Sequence, residues 1–158
     1  MGEIEKTMAY EITNQNDMFF FFEMVKRTEP DSILDIGLFL QRIGAVSRQV
    51  KNMEIPSETT CDGMPLSNQQ FFPVSTAIYQ SIVDLNSAGN YYDMISIIGI
   101  TDLISVEDEA QLWNWLSSHA HCVIADCRQP ERLQMFYTKG ICTDYQIDDD
   151  TYAMIVLN

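Results

Sequence analysis

The chain has 158 residues, 46% of them hydrophobic and 11% aromatic, with Lys+Arg 9 against Asp+Glu 23 and a formal net charge of -14. That length suits one domain able to bury about 68–70% of its unfolded surface without a disulfide or metal staple, and the apolar content excludes a disordered chain. No apolar run reaches the ~18–20 residues of a membrane span; Met18-Phe19-Phe20-Phe21-Phe22 ends at Glu23 without a basic lead, so it is not a secretory signal and a cytoplasmic setting is expected.

In chain order, the pattern predicts a helix over 16–28 with Met18, Phe21, Phe22 and Val25 on one face, closed by Pro30. Ser32–Ile36 reads as a buried strand ending at Gly37. A helix follows with Phe39, Ile43, Val46, Val50 and Met53 at helical spacing. A second strand is expected over Glu58–Asp62, ending at Gly63, and a third over Ser81–Leu85. Between them Pro73 interrupts any long helix. Tyr92–Ile98 is apolar enough for a central strand. Ser105 and Asp108 form a capping pair for a helix carrying Val106, Ala110, Trp113, Leu116 and Ala120. His121–Asp126 reads as a fifth strand, and Pro130 and Gly140 bracket a helix over Glu131–Lys139.

Cys142–Ile147 and Thr151–Leu157 are β-runs joined only by Asp148-Asp149-Asp150. So short a connection makes an antiparallel hairpin, because parallel neighbours need a crossover of about a dozen residues. The expected architecture is therefore an α/β three-layer sandwich: a mostly parallel seven-stranded sheet with a C-terminal antiparallel hairpin. It comprises one domain over 1–158, with a helical lead-in over 1–30 and the α/β core over 31–158.

Charge and cysteines narrow the function. No Lys or Arg lies between Lys51 and Arg128, while ten acidic residues do. That stretch repels phosphate backbones and anionic membranes, so neither nucleic acid nor membrane is expected as a partner; solubility is the plainer reason for the acidic excess. Cys61, Cys122, Cys127 and Cys142 make no C-x-x-C pair and are expected as thiols. His119, His121, Cys122, Asp126 and Cys127 cluster in sequence, but a helix running into a strand points them apart, so no metal is expected.

Ligands of open α/β sheets sit outside the carboxyl ends of the strands. Those ends carry Asp35 and Gly37, Asp62 and Gly63, Asp84, Gly99 to Asp102, and Asp126. This edge suits a cationic or polyhydroxylated ligand. For each aspartate the alternative role is a helix N-cap just after its strand.

From Ser32 to Leu157 the sequence resembles the class I S-adenosylmethionine-dependent methyltransferases. Ile33-Leu34-Asp35-Ile36-Gly37 matches the opening of the first motif, Asp62 the ribose-binding acid, Asp84 the acid near the adenine, and Tyr92–Leu103 a worn fourth-strand motif. The terminal hairpin completes the methyltransferase-type Rossmann-like pattern. The resemblance implies S-adenosylmethionine as cofactor, with contacts from Asp35, Gly37, Phe39, Asp62, Gly63, Asp84, Gly99 and Ile100, and transfer to a small, non-nucleic-acid acceptor.

The departures are Phe39 and Gln41 in place of the second and third glycines of the loop, and Gly99 and Leu103 in place of an acid and a histidine. Phe39 is expected to project toward the space of the cofactor's methionine moiety. No His or Lys stands at a strand end as a general base. The alternative is a catalytically inactive binding or regulatory protein of the same fold. A nicotinamide-binding Rossmann domain is opposed by the missing G-x-G-x-x-G and by the hairpin. Short loops after the fourth and fifth strands leave the acceptor side bare, so self-association, a protein partner supplying a lid, or an open cleft is expected.

Overall fold

The computed structural model describes residues 15–37, 39–42, 55–56, 58–64, 77–78, 91–99 and 106–157. The elements are α1 (Gln15–Thr28), β1 (Ser32–Ile36), α2 (Phe39–Arg42), β2 (Thr60–Met64), β3 (Ala77–Ile78), β4 (Tyr92–Ser96), α3 (Val106–His119), β5 (Ala120–Cys127), α4 (Pro130–Tyr137), β6 (Ile141–Ile147) and β7 (Asp150–Val156). The expected third strand, most of the second helix and the Ser105–Asp108 capping pair lie outside the described residues.

The strands form one sheet in the order β3-β2-β1-β4-β5-β7-β6. The pairings β2–β3, β1–β2, β1–β4 and β4–β5 are parallel, and β7 runs antiparallel to both β5 and β6. The expectation of a mostly parallel sheet of seven full strands therefore gives way to a mixed sheet. Six strands of at least five residues carry it, and β3 adds only two residues at one edge. The hairpin is the cause: Ile147 pairs with Asp150 across Asp148 and Asp149, and Asp148 takes φ 53, a conformation a short polar side chain tolerates. As the three-aspartate connection predicts, β7 inserts between β5 and β6.

Local chemistry sets the element ends. α1 stops where Glu29 takes φ 47 and Pro30 follows without an N–H to continue the ladder. β2 lies two residues beyond its expected place. Glu58 and Thr59 form a turn, with the Thr59 N–H donating to Pro56 O at 3.0 Å, and pairing with β1 sets Ser32 opposite Thr60 and Ile36 opposite Met64. α4 begins at Pro130, whose missing N–H costs nothing at the first helical position. Beyond it, Gly140 has no room for a side chain, since a Cβ there would stand 2.3 Å from Val156 O.

Two buried clusters line the two faces of the sheet. One joins Leu112, Trp113 and Leu116 of α3 and Phe136 of α4 to Leu34, Ile95 and Val123. The other joins Phe20, Phe21 and Met24 of α1 and Phe39 and Leu40 of α2 to Ile33, Met94 and Ile124. The result is three layers, helix–sheet–helix. Among the described residues no helix is long and apolar enough to cross a membrane.

Candidate cofactor crevice and acidic cleft

β1 and β4 are neighbours, yet the helices that follow them lie on opposite faces. α2 packs in the cluster with α1, and α3 packs in the other. Adjacent strands whose crossovers leave in opposite directions open a crevice at their carboxyl ends, where open α/β sheets bind ligands. Gly37 and Gly99 stand at those two ends with φ 87 and φ 83, left-handed conformations that glycine adopts without strain; Gly37 is buried and Gly99 partly so. The Gly37 N–H donates to Met64 O at 2.7 Å, and the Gly99 N–H donates to Asp126 Oδ1 at 2.8 Å.

The expected acids make hydrogen bonds within the protein. Asp35 is fully buried; its Oδ1 accepts from the Phe39 N–H at 2.9 Å and its Oδ2 from the Leu40 N–H at 2.8 Å. It is thus the cap of α2, the alternative open to any strand-end aspartate. Asp62 does not end its strand. It pairs opposite Leu34 inside β2 and accepts from the Tyr92 hydroxyl at 2.7 Å. Gly63 is likewise inside β2, opposite Asp35. The Phe39 ring does not project toward a cofactor: it is 0% exposed and lies against the Phe21 ring at 5.3 Å. With α2 starting at residue 39, its side chain is directed into the core. Asp84 and Ile100 lie outside the described residues. The crevice therefore gathers Gly37 and Gly99, with Asp126 behind Gly99.

Asp126 also borders a cleft of about 430 Å³ at the same edge of the sheet, formed by the end of β5, the start of α4, the start of β7 and the first turn of α1. Its Oδ2 accepts from Arg128 Nε at 2.9 Å. Arg128 Nη2 stands 3.5 Å from Asp17 Oδ2, and the Tyr152 hydroxyl donates to Asp17 Oδ1. Burial raises the Asp17 carboxyl, and the Tyr152 hydrogen bond acts against that rise. Burial and then Asp17 itself hold the Tyr152 phenol far above its usual range. The hydrogen bond to Asp126, outweighing desolvation, raises Arg128.

Asp17, Arg128 and Tyr152 were not among the residues the sequence singles out. One signal was there: Asp17 shares a helical face with Phe20, Phe21 and Met24, an acid on a buried stripe. Of the clustered metal-type residues, His119 donates from Nδ1 to Trp115 O at 2.8 Å and stacks on the Trp115 ring, while His121 is exposed and Cys122 buried. Among the described residues no group of three or more His, Cys, Asp or Glu is placed to hold a metal ion.

No protein-family model matches the sequence, and no curated protein matches it. Solved structures do match. A protein of Klebsiella pneumoniae assigned as an O-methyltransferase is 14% identical, covers 91% of this chain and 80% of its own, and superposes with a TM-score of 0.61. An O-methyltransferase from Bacillus cereus in complex with SAH is 11% identical, with 99% and 91% covered and a TM-score of 0.59. The 16S rRNA methylase RmtB is 12% identical with a TM-score of 0.58; 92% of this chain is covered, but only 64% of that one. At such identities the likeness concerns architecture. Strand order, inserted antiparallel β7 and structural neighbours agree that this chain has the fold of the class I S-adenosylmethionine-dependent methyltransferases.

Proposed function

We propose that the chain binds S-adenosylmethionine in the crevice between β1 and β4 and transfers its methyl group to a small acceptor in the adjoining cleft. The observation that carries this reading is the pair of left-handed glycines, Gly37 and Gly99, at the carboxyl ends of two adjacent strands whose crossovers part. Glycine at both rims puts no side chain across the strand ends, which fits a ligand that must lie close there. The bound cofactor supplies an electrophilic methyl group on a cationic sulfur. The chain's own part is to hold and orient. Asp126 fixes Gly99 through its N–H, Asp35 fixes the start of α2, and the net charge of -14 favours a cationic ligand. Asp84 and Ile100 remain proposed cofactor contacts. Without a histidine or lysine at the strand ends, the reading relies on proximity and alignment with an acceptor that is already nucleophilic.

The acceptor is taken to be a small molecule and not a nucleic acid. One structural neighbour is a 16S rRNA methylase, but the stretch from Lys51 to Arg128 contains no cation between its ends to meet phosphates. A second reading, binding without turnover, is favoured by Asp35 and Asp62 making their hydrogen bonds within the protein. Calorimetric titration with S-adenosylmethionine and S-adenosylhomocysteine tests both. Saturable binding of each supports the site, and absence of binding at millimolar ligand rejects it. Binding of both without methyl transfer to any member of an acceptor panel favours the second reading.

A further inference from the structure

The cleft beside Asp126 is lined by four carboxylates, those of Asp17, Asp126, Asp149 and Asp150, and by one guanidinium, Arg128. Two of the acids, Asp17 and Asp126, are almost wholly buried. Buried carboxylates are normally hydrogen-bonded at both oxygens. Asp126 meets this: Oδ1 takes the Gly99 N–H and Oδ2 takes Arg128 Nε. Asp17 does not. Tyr152 supplies its Oδ1, but among the described residues Oδ2 accepts no hydrogen bond. Among the described residues the cation paired with it, Arg128 Nη2 at 3.5 Å, lies outside the 2.7–2.9 Å of a charge-assisted hydrogen bond, on a side chain that is 51% exposed. A buried carboxylate oxygen thus borders a strongly acidic cleft in which, among the described residues, the one guanidinium is bonded to Asp126 and reaches Asp17 Oδ2 only at 3.5 Å.

We propose that this cleft is a binding site for a small molecule bearing a protonated primary or secondary amine, whose ammonium donates to Asp17 Oδ2. An ammonium carries compact donors that a carboxylate already deprived of water can accept. The excess of acids lining the cleft repels a carboxylate or phosphate ligand. The volume of about 430 Å³ falls among ordinary small-ligand sites, and Leu133 and Pro130 supply an apolar wall for the body of the molecule. Arg128 competes with the ligand for the same oxygen. Burial raises the Asp17 carboxyl, and a bound cation offsets that burden. Asp126 belongs to this cleft and also holds Gly99 at the crevice rim, so the amine lies next to the proposed cofactor site. That the amine-bearing molecule is the methyl acceptor rests on the function proposed above; its binding in the cleft does not.

The test uses the full chain with benzylamine, its neutral counterpart benzyl alcohol, and benzoate, followed by calorimetry and by chemical-shift changes. Benzylamine is expected to bind at least tenfold more tightly than benzyl alcohol, and benzoate not at all. Arg128→Met, a change at a half-exposed side chain, is expected to tighten benzylamine about tenfold by removing the competitor. Asp17→Asn is expected to remove the preference for the amine. Equal binding of amine and alcohol overturns the proposal, as does any preference for benzoate or weaker amine binding in Arg128→Met. If Asp17→Asn fails to fold, the wild-type panel and Arg128→Met still decide. Parallel titration with S-adenosylhomocysteine separates the two readings. S-adenosylhomocysteine binding without amine binding rejects this inference alone, and amine binding without S-adenosylhomocysteine binding rejects the cofactor reading while supporting the cleft.

Discussion

Replacing Tyr152 with Phe isolates one interaction. The ring is buried and stacks on Phe20 with centroids 4.7 Å apart, a contact phenylalanine retains. What is lost is the hydroxyl that donates to Asp17. A hydrogen bond to a charged group contributes about 1.5–3 kcal/mol. For a protein of this size roughly 2–4 °C in Tm accompanies each kcal/mol, so Tyr152→Phe is expected to melt about 3–12 °C lower at pH 7. The deficit depends on pH. Burial already raises the folded-state carboxyl of Asp17, and the Tyr152 bond opposes that rise, so the variant raises it further. A carboxyl that holds its proton more tightly when folded than when unfolded favours the native state as pH falls, and costs stability above its folded value. The difference between variant and wild type should therefore shrink as pH falls through the raised Asp17 value toward the usual carboxylate range. There it approaches the about 0.5–1.5 kcal/mol of a neutral hydrogen bond. Urea unfolding of both proteins from pH 7 down to pH 4 measures it. A deficit below about 0.5 kcal/mol at pH 7, or one that grows on acidification, refutes the reasoning.

Three further outcomes are expected. Gly140→Ala sets a Cβ 2.3 Å from Val156 O, a clash with backbone that should cost about 1–3 kcal/mol and appear as a lower urea midpoint. Burial pushes the Cys122 and Cys142 thiols up to about 11, so both should alkylate slowly at pH 8 in the folded protein, while all four cysteines react once it is denatured without reductant; a denatured count below four contradicts free thiols. Phe39→Ala empties a fully buried site, should destabilise by about 3–5 kcal/mol, and should leave affinity for S-adenosylhomocysteine unimproved; tighter binding would mean that the ring obstructs the crevice after all.

Elements bounded by strong local signals were legible in the sequence. Ser32–Ile36 lies between Pro30 and Gly37 and is β1 without a residue's error. The antiparallel hairpin followed from a connection too short to cross over, and its insertion between β5 and β6 matches the order found. β2 was harder. Thr60-Cys61-Asp62-Gly63-Met64 has no apolar run of its own, and its position is fixed by pairing with β1, which a local pattern does not encode. The same limit hid the acidic cleft. The Tyr152–Asp17 bond spans 135 residues of sequence and Tyr92–Asp62 spans 30, whereas helix and strand periodicities report on neighbours two to four residues apart. An aspartate at a strand end was visible; what it bonds was not.

That last distinction decides how the strand-end acids act. An ionised carboxylate removed from water costs several kcal/mol unless donors replace its hydration. Asp35, fully buried, obtains two from the backbone at the start of α2, and Asp62 obtains the Tyr92 hydroxyl. Within the fold, Asp35 holds the turn after Gly37, and Asp62 ties β2 to β4 across β1. The backbone at the strand ends is held in the same way: the Gly37 N–H is bonded to Met64 O and the Gly99 N–H to Asp126. Acids and glycines at the strand ends are thus tied into one hydrogen-bonded frame that joins β1, β2, β4 and β5.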